Sequence, residues 1–288
     1  MPPARAIALT GIAWDANASF LRGPCLAPAA VRRFLAAGSM NWATETGLDL
    51  ENNPLFTDIG DITEPGNGAL DKIQAWTGDH LDKGFRQLCL GGDHSITYPI
   101  LKAYAARFPG LAVLCLDAHP DLYESFDGNP HSHASVFARV MGDRLVSRLV
   151  QVGVRTLNAP QREAAGRYGV EIIGAGQVHR LAPPVFDGPF YLSLDMDVMD
   201  PAFAPGVSHH EPGGLSSRQV IELIHAIKGQ LVGADIVEFN PLRDPSGTTA
   251  ALAAKLVKEI AGKMITSLIP ARADGPEPSD GNGAGCEK

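Results

Sequence analysis

The sequence predicts an α/β fold of three layers, in which helices cover both faces of a mainly parallel sheet. Short and almost entirely apolar runs recur along the 288-residue chain, as expected for strands that are buried on both faces. Segments with the apolar spacing of amphipathic helices lie between or after these runs. The predicted strands are 87–90, 111–116, 149–154, 191–194 and 231–239, and the predicted helices are 95–108, 134–141, 159–168, 216–228 and 248–263.

Each element has a local signal. The first run, QLCL, ends at the turn-forming pair Gly91–Gly92, and helical spacing begins at Ser95. The later runs read LAVLCL, LVQVGV, YLSL and LVGADIVEF. Their apolar residues follow one another almost without interruption, which favours strands covered on both faces. The helix after Ser216 begins SSRQ, so Gln219 is placed to complete a capping box.

Residues 1–270 are predicted to form a single domain, although about 150 residues per domain would allow two. No linker rich in glycine and proline interrupts residues 5–270, which favours one domain. Residues 271–288 are rich in glycine, proline and acidic residues, and they are expected to form a disordered tail.

Charge and cysteine content narrow the function classes. The 24 basic and 32 acidic residues give a net charge of -8, which argues against nucleic acid or an anionic membrane as partner and suits a small cationic substrate. No run approaches the roughly 18 apolar residues of a membrane span, and the first residues show no secretory pattern. The cysteines lie far apart, with Cys89 and Cys115 expected as buried free thiols, so a cytoplasmic location is predicted.

Polar clusters follow three of the predicted strands. They are GGDHS at 91–95, DAHPD at 117–121 and DMD at 195–197. Ligands of open parallel sheets bind outside the carboxyl ends of the strands, and a spacing of two in an extended segment places side chains on one face. The clusters are therefore expected to converge at one rim. The converging residues are His94, Asp117, His119, Asp121, Asp195 and Asp197.

Such a group predicts bound divalent cations. Packed carboxylates repel one another and need a counter-charge. Mixed histidine and aspartate ligands suit Mn²⁺, Zn²⁺, Fe²⁺ or Ni²⁺, and the excess of oxygen ligands favours Mn²⁺. Six ligands exceed one tetrahedral zinc and fit two ions, which can hold a hydroxide nucleophile at neutral pH. A single Asp-x-Asp is usually a solvated turn. The three polar clusters together, each after an apolar run, instead indicate a metal site and metal-assisted hydrolysis.

The motifs resemble those of the ureohydrolases, the family that includes arginases and agmatinases. The matching stretches are GGDHS, DAHPDLY and SLDMDVMDPAFAPG, which occur in the family's order within roughly residues 85–265. The resemblance is closest to plant-type arginases, through GNPHSHASVFARVM, LVQVGVR, DPAFAPGVSHHEPGGLS and GADIVEFNPLRD. It implies an arginase-like fold and a homo-oligomer, either a trimer or a hexamer.

The resemblance also implies a binuclear manganese site, with Ni²⁺ as the alternative. One ion would be held by His94, Asp117, Asp121 and Asp195. The other would be held by His119, Asp117, Asp195 and Asp197. In this arrangement Asp117 and Asp195 bridge the two ions.

Further roles follow from the resemblance. His133 corresponds to a proton-shuttling histidine and Glu238 to the carboxylate that binds the guanidinium, roles that suit an imidazole and a carboxylate. Asp121 would help the reaction intermediate break down. Asn129 and His131 are candidate substrate contacts, although His131 could also be an exposed loop residue.

Other polar residues keep two interpretations. Asp93 either orients a metal-binding side chain without touching the metal itself, or it caps the helix that begins near Ser95. Asp235, on the last predicted strand, is expected to hold a metal-binding histidine. Either one of His209 and His210 lines the mouth of the pocket, or both have a structural role in their loop.

The predicted reaction is hydrolysis of a guanidino group to an amine and urea, with arginine or agmatine as the first candidates. The better-known arginases carry Arg-Asp-x-Asp where this chain has Arg155 followed by Thr-Leu-Asn, so guanidinobutyrate and free or N-substituted guanidine stay open. An amine deacetylase of the same fold is an alternative, and it would use a single zinc. A catalytically silent subunit is another, but it should have lost ligands.

Overall fold

The computed structural model describes residues 4–62, 66 and 68–268, and one eight-stranded sheet runs through them. All neighbouring strands pair in parallel, in the order β2-β1-β3-β8-β7-β4-β5-β6. The strands are β1 (Ala6–Ile12), β2 (Phe56–Ile62), β3 (Phe85–Leu90), β4 (Ala112–Leu116), β5 (Arg148–Val154), β6 (Glu171–Gly174), β7 (Val185–Asp195) and β8 (Lys228–Val237).

Seven α-helices are found in the described residues, and they cover both faces of the sheet. They are α1 (Ala27–Leu35), α2 (Ala69–Asp82), α3 (Thr97–Ala105), α4 (Val136–Gly142), α5 (Ala159–Tyr168), α6 (Ser217–Ala226) and α7 (Thr248–Leu268). Helices α1, α6 and α7 contribute to one buried apolar cluster, and α2 to α5 contribute to the other. The predicted three-layer α/β/α fold is confirmed.

The sequence located the central strands but not the outer ones. The five predicted strands correspond to β3, β4, β5, β7 and β8, and the predicted capping box of Ser216 and Gln219 begins α6. The predicted helices 95–108 and 134–141 each begin as a short 3-10 turn, His94–Ile96 and His133–Ser135.

Five elements escaped prediction: α1, α2, β1, β2 and β6. The strand β2, which forms one edge of the sheet, mixes polar and apolar residues and is mostly not buried, and β6 at the other edge has only four residues. Cys89 and Cys115 are buried and unpaired, as predicted. The predicted tail, 271–288, lies outside the described residues. None of the helices described is long and apolar enough to cross a membrane.

Candidate metal centre

The carboxyl ends of four adjacent strands carry the polar clusters. The sheet order places β3, β8, β7 and β4 side by side, and their ends supply His94, Glu238, Asp195 and the segment 117–121. The backbone there is unusual. Asp121 and Glu238 have positive φ angles of 49° and 63°, a left-handed conformation that is uncommon outside glycine. Gly92 of the GGDHS motif allows close packing, since an added Cβ would lie 1.6 Å from the carbonyl oxygen of Trp14.

His94 is surrounded by three of the predicted carboxylates. Its Nδ1 lies 3.2 Å from Asp117 Oδ2 and 3.1 Å from Asp121 Oδ2. The same nitrogen is 3.3 Å from Asp195 Oδ2. His94 is fully buried, and Nδ1 has no hydrogen-bond partner among the described residues. A buried lone pair directed at three carboxylate oxygens fits a bound cation.

His119 forms a second group on the other side of Asp117. Its Nδ1 lies 2.9 Å from Asp197 Oδ2 and 3.6 Å from Asp117 Oδ1. Asp117 thus turns one carboxylate oxygen to each histidine, which is the orientation that a bridging ligand requires. The nitrogen and oxygen atoms of Asp117, His119 and Asp197 are close enough together to hold one ion.

The carboxylates repel one another in the protein without metal. Burial and the negative charges of Asp197 and Asp121 raise the pKa of Asp117 to about 6. Burial, Asp197 and Asp117 likewise raise the pKa of Asp195 well above its usual range. Burial would also raise the pKa of Asp197, but the adjacent imidazolium of His119 outweighs it and lowers that pKa. The centre therefore has an excess of negative charge that divalent cations would neutralise.

A buried hydrogen-bond chain fixes the orientation of His94. The Ser193 hydroxyl donates to Asp235 Oδ1 at 2.7 Å, so its oxygen is left to accept from His94 Nε2, 2.9 Å away. Asp235 also accepts from Thr97 and Tyr191 at 2.8 and 2.9 Å. These hydrogen bonds hold the proton of the His94 ring on Nε2 and leave Nδ1 free as a ligand atom. Asp235 acts on His94 through Ser193. Nothing in the sequence marked Ser193 as a residue that orients His94.

Asp93 has the geometry of a cap. Its Oδ1 accepts the backbone N–H of Ser95 at 3.0 Å, and its Oδ2 accepts that of Asn17 at 2.9 Å. Its hydrogen bonds go to these residues and not to a ligand side chain. Of the two interpretations, the structure supports capping of the turn that begins at His94.

His133 and Glu238 form a buried pair beside the metal ligands. His133 Nδ1 lies 2.7 Å from Glu238 Oε1, which also accepts the backbone N–H of His94 at 2.8 Å. Glu238 Oε2 is buried without a hydrogen-bond partner in the part of the chain described. Burial would lower the pKa of His133, but the Glu238 carboxylate outweighs it and raises the pKa to about 9. One carboxylate oxygen is thus left for a cationic ligand.

The cleft above these residues has a volume of about 200 Å³. Its half-buried lining residues include Tyr123, Phe126, Thr156 and His209. The ring of His209 lies 5.4 Å from that of His133, so His209 is the histidine of the pair that lines the mouth. His210 instead lies 2.7 Å from the carbonyl oxygen of Pro205, within hydrogen-bond distance.

The predicted substrate contacts Asn129 and His131 lie elsewhere. Both line a separate cavity of about 570 Å³ with Trp14 and Lys102. The Asn129 amide donates to Asn17 Oδ1 at 3.0 Å. Neither is among the described residues that line the cleft, and their role as substrate contacts stays a prediction.

Two polar residues of the site were not predicted as such. Ser19 contacts His133, and Arg155 binds the turn that carries Asp197, one of the candidate metal ligands. The Arg155 guanidinium donates to the carbonyl oxygens of Asp197 and Glu211 at 2.7 and 2.6 Å, so it joins this turn to the loop that carries His209. The place of Arg155 directly after a predicted strand is the sequence signal that could have indicated this role.

Comparison with known proteins agrees with the geometry. The Arginase family model matches residues 5–262. The chain is 42% identical over 274 residues to "Arginase 1, mitochondrial" of Arabidopsis thaliana, covering 89% of this chain and 80% of that protein. It is 34% identical over 263 residues to an agmatinase of Bacillus anthracis, covering 88% and 90%. Its fold superposes on an arginase from Medicago truncatula with a TM-score of 0.85 and 37% identity, covering 92% of this chain and 89% of the other.

Proposed function

The chain belongs to the arginase family, and we propose that it hydrolyses the guanidino group of a small cationic substrate to an amine and urea. The observation that carries this proposal is the unpartnered Oε2 of Glu238, which is buried beside the six candidate metal ligands. A planar guanidinium is the cation that a carboxylate oxygen in this position binds well. The family favours this reaction over the deacetylase alternative.

Two divalent cations fit the residues present. His94, Asp117, Asp121 and Asp195 would hold one ion. His119, Asp117, Asp195 and Asp197 would hold the other, with Asp117 and Asp195 shared. The four carboxylates against two imidazoles favour Mn²⁺, with Ni²⁺ as the alternative. The ions would supply Lewis acidity and a nucleophilic water at neutral pH.

The chain's own residues would bind the substrate and move protons. Glu238 would orient the guanidinium through Oε2 while Oε1 holds His133 in place. His133, with its pKa raised to about 9 by Glu238 against the opposing effect of burial, would carry a proton for the departing amine at neutral pH. Asp121, 3.1 Å from His94 Nδ1, would stay at the reacting centre as both ligand and proton acceptor.

We propose arginine as the first substrate and agmatine as the second. The higher identity to a plant arginase than to an agmatinase supports this order. None of the described residues that line the cleft is lysine or arginine. The α-carboxylate of arginine would therefore meet hydroxyl groups, such as those of Tyr123 and Thr156, and not a lysine or arginine side chain.

The test is urea release from four compounds: arginine, agmatine, guanidinobutyrate and free guanidine. Each is assayed with Mn²⁺ and with Ni²⁺. Arginine should give the highest kcat/KM. A ten-fold preference for agmatine would overturn the substrate order, and the absence of urea from all four with a metal-loaded protein would overturn the proposed reaction. We also propose a cytoplasmic homo-oligomer, a trimer or hexamer, which cell fractionation and light scattering would test.

A further inference from the structure

We propose that Ser19 relays a proton from His133 to the departing amine, an inference that rests on the proposed function. Ser19 follows β1 and reaches His133 across 114 positions of sequence. Its hydroxyl oxygen lies 2.8 Å from His133 Nε2, and its backbone N–H donates to the same nitrogen at 3.1 Å. The residue is exposed and lines the cleft, so its hydroxyl contacts both the imidazole and the space for substrate.

The hydrogen bonds define where each proton of His133 lies. A backbone N–H can only donate, so Nε2 of the neutral imidazole accepts from Ser19 and Nδ1 carries the proton toward Glu238. When the ring gains a second proton, Nε2–H needs an acceptor. The Ser19 hydroxyl oxygen is the acceptor that the structure provides at hydrogen-bond distance.

The segment that carries Ser19 is held firmly against His133. The carbonyl oxygen of Asn17 accepts the backbone N–H of His133 at 3.2 Å, and the Asn17 side chain donates to Ser95 Oγ at 3.0 Å. The backbone N–H of Asn17 in turn donates to Asp93. Ser19 is therefore placed by the same turn that presents His94, which gives the Asp93 cap a consequence for catalysis.

The direction of the transfer follows from the burial of the residues that line the cleft. Glu238 and the candidate metal ligands Asp121, Asp195 and Asp197 are buried, whereas Ser19 is exposed. With the guanidinium on Glu238, its substituent therefore extends toward the exposed side of the cleft. The nitrogen that departs carries this substituent and lies on the side of Ser19. As the C–N bond breaks, its electron pair goes to that nitrogen, which takes the Ser19 hydroxyl proton, and Ser19 takes the Nε2 proton of the imidazolium. His133 ends neutral, with Nδ1–H on Glu238.

Other titratable groups surround His133 and act on its proton. They are Glu238 after β8, Asp121 after β4, Asp93 after β3 and His209 on the loop after β7. The carboxylates stabilise the imidazolium, and Glu238 holds it through Nδ1. None of these groups replaces Ser19 at Nε2 in the hydrogen bonds of the structure.

The test compares Ser19→Ala with Ser19→Thr, which keeps a hydroxyl. Ser147→Ala is the matched control, because Ser147 is also exposed and its hydroxyl bonds only backbone carbonyls at the opposite edge of the sheet. Two substrates are used: arginine, which releases an alkylamine, and 4-nitrophenylguanidine, which releases a weakly basic aniline. Metal content is measured for every variant.

We expect Ser19→Ala to lower kcat on arginine by about 10- to 100-fold, below the roughly 10²–10⁴-fold of a full general acid because water can partly replace the hydroxyl. KM and bound metal should not change, and Ser19→Thr should restore most of the loss. With 4-nitrophenylguanidine the loss should shrink, because a weakly basic amine departs with less need of a proton.

Two results would overturn the relay. One is a Ser19→Ala enzyme as active on arginine as the Ser147→Ala control. The other is an equal loss on both substrates, which indicates a merely structural role. If the wild-type enzyme releases urea and Ser19→Ala releases it at the same rate, the relay alone is refuted. If the wild-type enzyme releases no urea from any guanidine, both the proposed function and the relay are refuted.

Discussion

Removing the Ser193 hydroxyl should weaken metal binding although Ser193 is not itself a candidate ligand. In Ser193→Ala, His94 Nε2–H loses its acceptor at 2.9 Å inside a fully buried site. An unpaired buried donor costs about 1–3 kcal/mol. The His94 ring can escape this cost only by rotating, which would take Nδ1 away from Asp117, Asp121 and Asp195.

The expected loss is about 10- to 100-fold in affinity for one Mn²⁺, as for other partners that orient a metal-binding histidine. This range corresponds to about 1.4–2.7 kcal/mol, which agrees with the cost of the unpaired donor. Stepwise Mn²⁺ titration followed by calorimetry would measure the two dissociation constants separately. The ion on the His119 side should bind nearly as before.

Tyr191→Phe is the matched control, because it also removes a donor to Asp235, 2.9 Å away, but leaves the contact between His94 and Ser193 in place. Its effect on Mn²⁺ affinity should be smaller. Equal losses in Ser193→Ala and Tyr191→Phe would show that the buried Asp235 network matters as a whole. Unchanged affinity in Ser193→Ala would refute the reasoning about the His94 tautomer.

Three more predictions follow from the centre. Asp117→Ala should bind neither ion properly, since Asp117 faces both histidines, and retention of two ions by elemental analysis would contradict its bridging role. Glu238→Gln should raise KM and lower kcat without metal loss, because the charge that faces the guanidinium is gone; steady-state kinetics that match wild type would exclude the assignment. Burial and neighbouring carboxylates raise the pKa of Asp117 from its ordinary 3.8 to about 6. Between these two pH values the metal-free folded protein binds more protons than the unfolded chain, so it loses stability as the pH rises through this range. Added Mn²⁺ should therefore raise Tm more at pH 7 than at pH 4.5, and a larger rise at pH 4.5 would count against this.

The convergence of the candidate metal-binding residues could be predicted because their positions depend on local rules. His94, Asp117 and Asp195 each follow an apolar strand of a parallel sheet, and such strands end at one edge. Spacing alone then places His119 and Asp197 near them. The central strands were also predictable, since buried strands have continuous apolar runs, whereas the polar edge strand β2 gave no such signal.

Residues that approach the centre from distant parts of the chain were harder to predict. Ser19 reaches His133 over 114 positions and Arg155 reaches Glu211 over 56, and neither lies in a motif that marks such a contact. Asn129 was predicted from its resemblance to a polar loop residue of the family, and His131 from its closeness in sequence to His133. In the structure both line a neighbouring cavity, where the Asn129 amide donates to Asn17. Tertiary packing, which sequence spacing does not encode, decides these cases.

The central claim is that two ions and one carboxylate act together on a guanidine. The most direct test titrates metal-free protein with Mn²⁺ and follows bound metal and urea release from arginine in the same samples. We predict that urea release increases until two ions are bound per chain and then levels off, and that Glu238→Gln binds both ions with little activity. Full activity with a single bound ion, or two ions bound without urea from arginine or agmatine, would contradict the account.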